Sequence, residues 1–189
     1  MAVNRKSARP LTLYTVGHST RPIDDFIMIL KAHEITCLAD VRTIPKSRHN
    51  PQFNSDLVKT SLKEAGIRYV HCPGLGGLRK PRHNSHNQGW KNAGFRGFAD
   101  YLETKECAAA IEELVRLASK QRTAVMCAEA LWWRCHRSLI SDALWVAGIP
   151  VVHLLDQKKT APHRLTSFAH IENGRLSYPA QQPSFYDND

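Results

Sequence analysis

Short apolar runs alternate with amphipathic stretches along most of this chain. Residues 11–16, 36–41, 68–72, 123–128 and 151–155 are each five or six residues, all but 68–72 rich in β-branched and aliphatic side chains, and each stops at a glycine, proline or charged residue. That is the signature of strands buried on both faces. Between them the apolar positions recur at helical spacing. Pro22, Asp24 and Asp25 suit the first turn of a helix that continues through Phe26, Ile27 and Leu30. Asn54 or Ser55 caps a second helix that Gly66 terminates. Further helical patterns cover roughly 95–102 and 107–118, and one from 135 to 147 ends at Gly148.

Strands alternating with helices predict an α/β fold, with a mainly parallel five-stranded sheet flanked by helices. The Asn173-Gly174 pair between two short extended pieces, within residues 170–177, predicts a small C-terminal hairpin. The organisation expected is a basic tail at 1–10, one domain at 11–178 and a polar tail at 179–189. The stretch from Pro73 to Gly94 is rich in Gly, Pro, Asn, His and basic residues, so it is expected to be a long loop in contact with substrate.

Composition narrows the class. Of 189 residues, 42% are hydrophobic, enough for one core, and the longest apolar run falls far short of the ~20 residues of a membrane helix. The start of the chain has no apolar stretch of the secretory kind, so a cytoplasmic location is expected. Five cysteines with no Cys-x-x-Cys pair argue for reduced thiols and against ordinary zinc-finger or thioredoxin chemistry. There are 26 Lys and Arg against 17 Asp and Glu, and no acidic residue lies between Glu64 and Asp100. This basic field favours an anionic partner, either a small phosphate-bearing molecule or single-stranded nucleic acid.

In a parallel sheet, ligands bind beyond the carboxyl ends of the strands. The residues found there are Gly17-His18-Ser19, Asp40-Val41-Arg42, His71-Cys72, Cys127-Ala128-Glu129 and Asp156. Nearly every strand thus ends in a reactive or charged side chain. Six ordered motifs accompany them: Thr15-Val-Gly-His-Ser-Thr20, Asp40-Val-Arg-Thr-Ile-Pro45, Asn50-Pro-Gln-Phe-Asn54, Leu75-Gly-Gly77, Gly94-Phe-Arg-Gly97, and Cys127-Ala-Glu129 with Cys135-His-Arg-Ser-Leu139. Together they resemble the bacterial family called domain of unknown function 488 over roughly residues 12 to 156. The resemblance implies a compact α/β domain with its motifs clustered at one end, and it implies no particular reaction.

Function must therefore be read from the residues. Cys127, at a strand end and ahead of a basic helix start, is expected to be the reactive thiol, with Glu129 and His18 as acid–base groups. Arg42, Arg137, Ser19 and His136 are expected to hold an anion, aided by the free amides of the helix start. Strand, cysteine, loop and helix also form the layout of rhodaneses and cysteine phosphatases. Here, however, six residues separate Cys127 from Arg134, where that loop has five, and Trp132 and Trp133 occupy positions that need small residues. Zinc ligation by Cys127, Glu129, Cys135 and His136 matches no standard spacing, so neither a metal nor a cofactor is expected. Arg79, Lys80, Arg82 and Trp90 offer charge and a stacking ring to a nucleotide or nucleic acid. The favoured reading is an enzyme acting on an anionic substrate, and the alternative is a non-catalytic nucleic-acid-binding module.

Overall fold

The computed structural model describes residues 11–180; the expected tail at 1–10 and residues 181–189 lie outside them. Five parallel strands form where the apolar runs placed them: β1 (Leu13–Gly17), β2 (Cys37–Asp40), β3 (Arg68–His71), β4 (Thr123–Cys127) and β5 (Val151–Leu154). A sixth, β6 (Thr160–Pro162), pairs antiparallel with β5, giving the order β3-β2-β4-β1-β5-β6. This strand is additional to the five expected. It is only three residues long, Thr-Ala-Pro, and Pro162, which has no N–H to donate, is tolerable only at a sheet edge.

Helices α1 (Ile23–Ala32) and α2 (Ser55–Glu64) bury Phe26, Ile29, Leu30, Val58 and Leu62 against Val16, Leu38 and Met126 on one face. On the other face α3 (Ala93–Leu102), α4 (Lys105–Ala118) and α5 (Arg137–Val146) cover Leu13, Ala39, Val125 and Val151. The expected hairpin is β7 (His170–Glu172) and β8 (Arg175–Ser177), turned by Asn173 and Gly174, both in the left-handed region as that turn demands.

Residues 73–92, ahead of α3, contain only a single 3-10 turn, yet they are anchored and not loose. Asn87, fully buried, donates to Asp100 at 2.8 Å and Glu103 at 2.9 Å and accepts from the Tyr178 amide at 2.8 Å. Ser85 and the Arg82 amide also donate to Asp100. These bonds join groups far apart in sequence, which is why local composition suggested a free loop.

Candidate functional site

The chain runs outward from β1 to β2 and β3 with its helices on one face, then returns through β4 to β5 with its helices on the other. Between the adjacent β1 and β4, therefore, the following helices diverge and open a crevice at the carboxyl edge. A cleft of about 450 Å³ occupies that crevice, lined by His18, Arg42, Cys127, Glu129, Cys135 and His136 among others. Gly17 makes the crossing feasible. A Cβ there would collide with the Glu129 carbonyl, so only glycine lets the segment after β4 lie across the end of β1.

At the floor of the cleft two thiols face each other. The Cys127 and Cys135 sulfurs and a His136 ring nitrogen all lie within 4.8 Å of one another, and both cysteines are nearly buried, at 4% and 5% exposure. Arg137, the first residue of α5 and 1% exposed, directs its guanidinium at them. Its Nε donates to Cys127 Sγ at 3.2 Å, Nη1 to Thr15 Oγ1 at 3.5 Å, and Nη2 to the Glu129 and Ala130 carbonyls, while its backbone N–H donates to Cys135 Sγ at 3.5 Å.

The two thiols are shifted in opposite directions. Bonding to Cys135, reinforced by burial, pushes the Cys127 thiol well above the usual range. Burial opposes ionisation of Cys135 as well. The Cys127 S–H bond and the Arg137 charge and N–H overcome it and bring the Cys135 thiol down to about 6. Of the two, Cys135 is the thiol drawn down and Cys127 the one pushed up, whereas the sequence pointed to Cys127 as the reactive thiol. The signal available in sequence was a second cysteine at the helix start, followed directly by His and Arg.

His136 Nε2–H donates to the Val41 carbonyl at 3.2 Å, which leaves the Nδ1 lone pair facing Cys135 Sγ at 3.6 Å. Its ring presses against Gly77, where a side chain would collide with it. Burial lowers its pKa, so the ring is neutral.

Across the cleft, His18 stacks on Phe53 with ring centroids 4.1 Å apart. Its Nδ1–H donates to the Ser19 carbonyl at 2.8 Å and its Nε2 accepts from Arg42 Nη1 at 3.3 Å. Burial, with the Arg42 charge, lowers its pKa to about 4 despite the Ser19 bond, so it is neutral and its lone pair is engaged. Arg42 forms a fork with both Asp40 oxygens and donates to the Phe53 carbonyl at 2.8 Å. Tyr69 O–H completes the Asp40 shell at 2.8 Å.

Arg42 and Arg137, expected to converge on one anion, therefore each meet protein partners. The cleft's uncompensated cations are Lys46 and Arg134, both exposed and, among the described residues, in no ion pair. Glu129 lies exposed on the same lining, and Ser19 lies outside it.

The loop residues are engaged elsewhere. Arg79 sits over the Tyr101 ring at 3.7 Å, Arg82 pairs with Glu103 at 2.9 Å, and Trp90 packs with Phe95, Phe168 and Tyr178. Lys80 is exposed and outside the cleft lining. That loop contributes Gly77, Leu78, Asn92 and Gly94 to the cleft instead.

Cys127, Cys135 and His136 offer three donors of the kind zinc takes. A cation bound there would lie beside the fixed Arg137 guanidinium, 3.2 Å from one of its sulfurs, and two of the ligands would be adjacent in sequence. The arrangement suits a thiolate held by arginine better than a metal centre.

No curated protein and no solved structure matches the chain. The family model described as Domain of unknown function DUF488 matches residues 22–144, which span β2 to β4 and most of α5 together with both cysteines, and the chain belongs to that family.

Proposed function

We propose that this protein is an enzyme that acts on an anionic, phosphate-bearing substrate by nucleophilic thiol chemistry. The observation that carries the reading is the Cys127–Cys135 pair facing Arg137 at the floor of a cleft that also carries Lys46 and Arg134. Cys135 thiolate attacks the electrophilic atom, and the bond to the leaving group breaks as Cys127 S–H gives up its proton to it. The negative charge then rests on Cys127, whose sulfur already accepts from Arg137 Nε. One charge faces one guanidinium before and after the step, so little reorganisation is needed. Glu129, exposed beside the cleft, is the acid–base group available to a water that resolves the intermediate.

Alkylation of Cys135 by iodoacetamide, followed by mass spectrometry against pH, tests the thiol. Its rate is expected to rise with a midpoint near 6, while Cys37, Cys72 and Cys107, raised by burial, stay slow up to pH 9. The rate at pH 7 is a poor diagnostic. A low-pKa thiolate is abundant but less nucleophilic, and the two effects offset to within roughly tenfold. A Cys135 midpoint no lower than those of the other thiols removes the reading.

The substrate class has a separate readout. Inorganic phosphate or adenosine monophosphate, at low ionic strength, is expected to slow this alkylation severalfold in the wild type and hardly at all in the Lys46→Ala/Arg134→Ala double variant. Equal protection in both proteins, or none in either, defeats the anionic-substrate assignment. The nucleic-acid-binding alternative has less support, because Arg79, Arg82 and Trp90 already hold the fold together.

A further inference from the structure

Behind Arg137 a line of polar side chains crosses the protein interior. Thr15 Oγ1 on β1, which accepts from Arg137 Nη1, lies 2.7 Å from His153 Nδ1 on β5. His153 Nε2 is 3.1 Å from His163 Nδ1, just beyond β6, and His163 Nε2 is 2.8 Å from Asp142 Oδ1 on α5. Asp142 also accepts from Tyr178 O–H at 2.8 Å, Thr166 O–H at 2.7 Å and the Thr166 amide at 3.0 Å. Every member is buried except Thr166, which is partly so. Trp132 stacks flat on His153, with centroids 4.3 Å apart.

Both ends of the line are fixed. Asp142, accepting four bonds, takes the Nε2–H of His163, and the Thr15 oxygen accepts from Arg137 Nη1. Burial, then the neighbouring His163 and Arg137, lower the pKa of His153 to about 3, so it carries a single N–H between Thr15 and His163. Hydrogen bonds in a continuous buried chain polarise one another. A buried chain of this kind is a weak device for stability, because well-packed apolar residues serve the interior as well or better.

We propose that Thr15, His153, His163 and Asp142 are positioning residues that hold the Arg137 guanidinium in the plane where its Nε meets the Cys127–Cys135 pair. This rests on the reading of that pair as the reacting centre. The other charged or titratable groups of the cleft are His18 from the end of β1, Arg42 and Lys46 from beyond β2, Glu129 and Arg134 from the segment after β4, and His136 before α5. None of them touches the line from Thr15 to Asp142.

Thr15→Val removes the hydroxyl at almost constant volume, and Thr15→Ser keeps it. In Thr15→Val the Cys135 alkylation midpoint is expected to rise, with the rate at pH 5 falling roughly three- to fourfold for each unit of rise, because higher nucleophilicity offsets part of the tenfold loss of thiolate. Thr15→Ser is expected to retain the wild-type profile. His163→Gln, which breaks the line further out, is expected to shift the midpoint in the same direction, and it decides the matter if Thr15→Val does not fold. An unmoved midpoint in a folded variant, with wild-type Cys135 still titrating near 6, reduces the line to an interior staple and overturns the proposal. A wild-type Cys135 that titrates like the other thiols overturns both the proposal and the functional reading beneath it.

Discussion

Arg137→Met is expected to lower the stability of this protein by roughly 3–5 kcal/mol, the range for removing one partner of a buried charged pair, and to return Cys135 to the reactivity profile of an ordinary buried thiol. Methionine fills most of the volume, so lost packing is the smaller part. The larger part is polar. Thr15 Oγ1 and the Glu129 and Ala130 carbonyls lose their donor, and the thiol pair loses the cation beside it. The pair can respond by staying protonated, which moves some of the penalty from stability into reactivity, so both must be measured on one sample. Urea unfolding at pH 8 with an unchanged m-value reads the first, and alkylation against pH reads the second. Arg137→Lys is expected to recover little, since one ammonium cannot reach a sulfur, a hydroxyl and two carbonyls together. A loss below about 1 kcal/mol with Cys135 still titrating near 6 contradicts the role given to Arg137.

How much of this was legible in sequence depends on the range of the interactions involved. The five parallel strands lie within a residue or two of the stretches read from sequence, four of them because a strand covered on both faces must be largely apolar, while the edge strand β3 is partly exposed and mixes Arg, Tyr, Val and His. Gly66 and Gly148 end their helices in the left-handed conformation, a local requirement that sequence displays directly. The sheet-edge rule pointed to His18, Arg42, Cys127 and Glu129, which line one cleft, because it needs only the strand ends.

What sequence hid is contact between separate elements. The place of Cys135 becomes visible only when β4 brings a second sulfur to face it. Trp132, a bulky intruder if the loop is meant to cradle phosphate, has its own place on the His153 ring. Nothing in the periodicity of β5, β6 or α5 announces that His153, His163 and Asp142 form one line. The Pro73 to Gly94 stretch misled for the same reason, since Asn87 and Asp100 tie it down through bonds that composition does not encode.

Acid is expected to unfold this protein steeply between pH 6.5 and 4. His18 and His153 are neutral in the folded chain down to about 4 and about 3, each because of burial, whereas in the unfolded chain both take up a proton below the ordinary histidine value of 6.5. Through that window the unfolded state binds more protons, and stability falls by roughly 1.4 kcal/mol per pH unit for each of the two groups. By pH 4 that amounts to several kcal/mol, a large share of the 5–15 kcal/mol typical of a folded domain. Cys135 acts in the same direction at higher pH. Its folded value of about 6 lies below the unfolded 9.0, so its contribution is complete only above 9 and is lost as pH falls through 6. Cys127 sets the upper limit: raised well above 9.0 in the folded chain, it makes unfolding release a proton at alkaline pH, and stability declines again. Urea midpoints from pH 4 to 10 are therefore expected to climb through the acid range and pass a maximum near 9. His153→Gln should flatten the slope below 6.5, and Cys135→Ser the slope between 6 and 9. A wild-type profile that is level from pH 4 to 6.5 is incompatible with two buried neutral histidines lining and supporting this site.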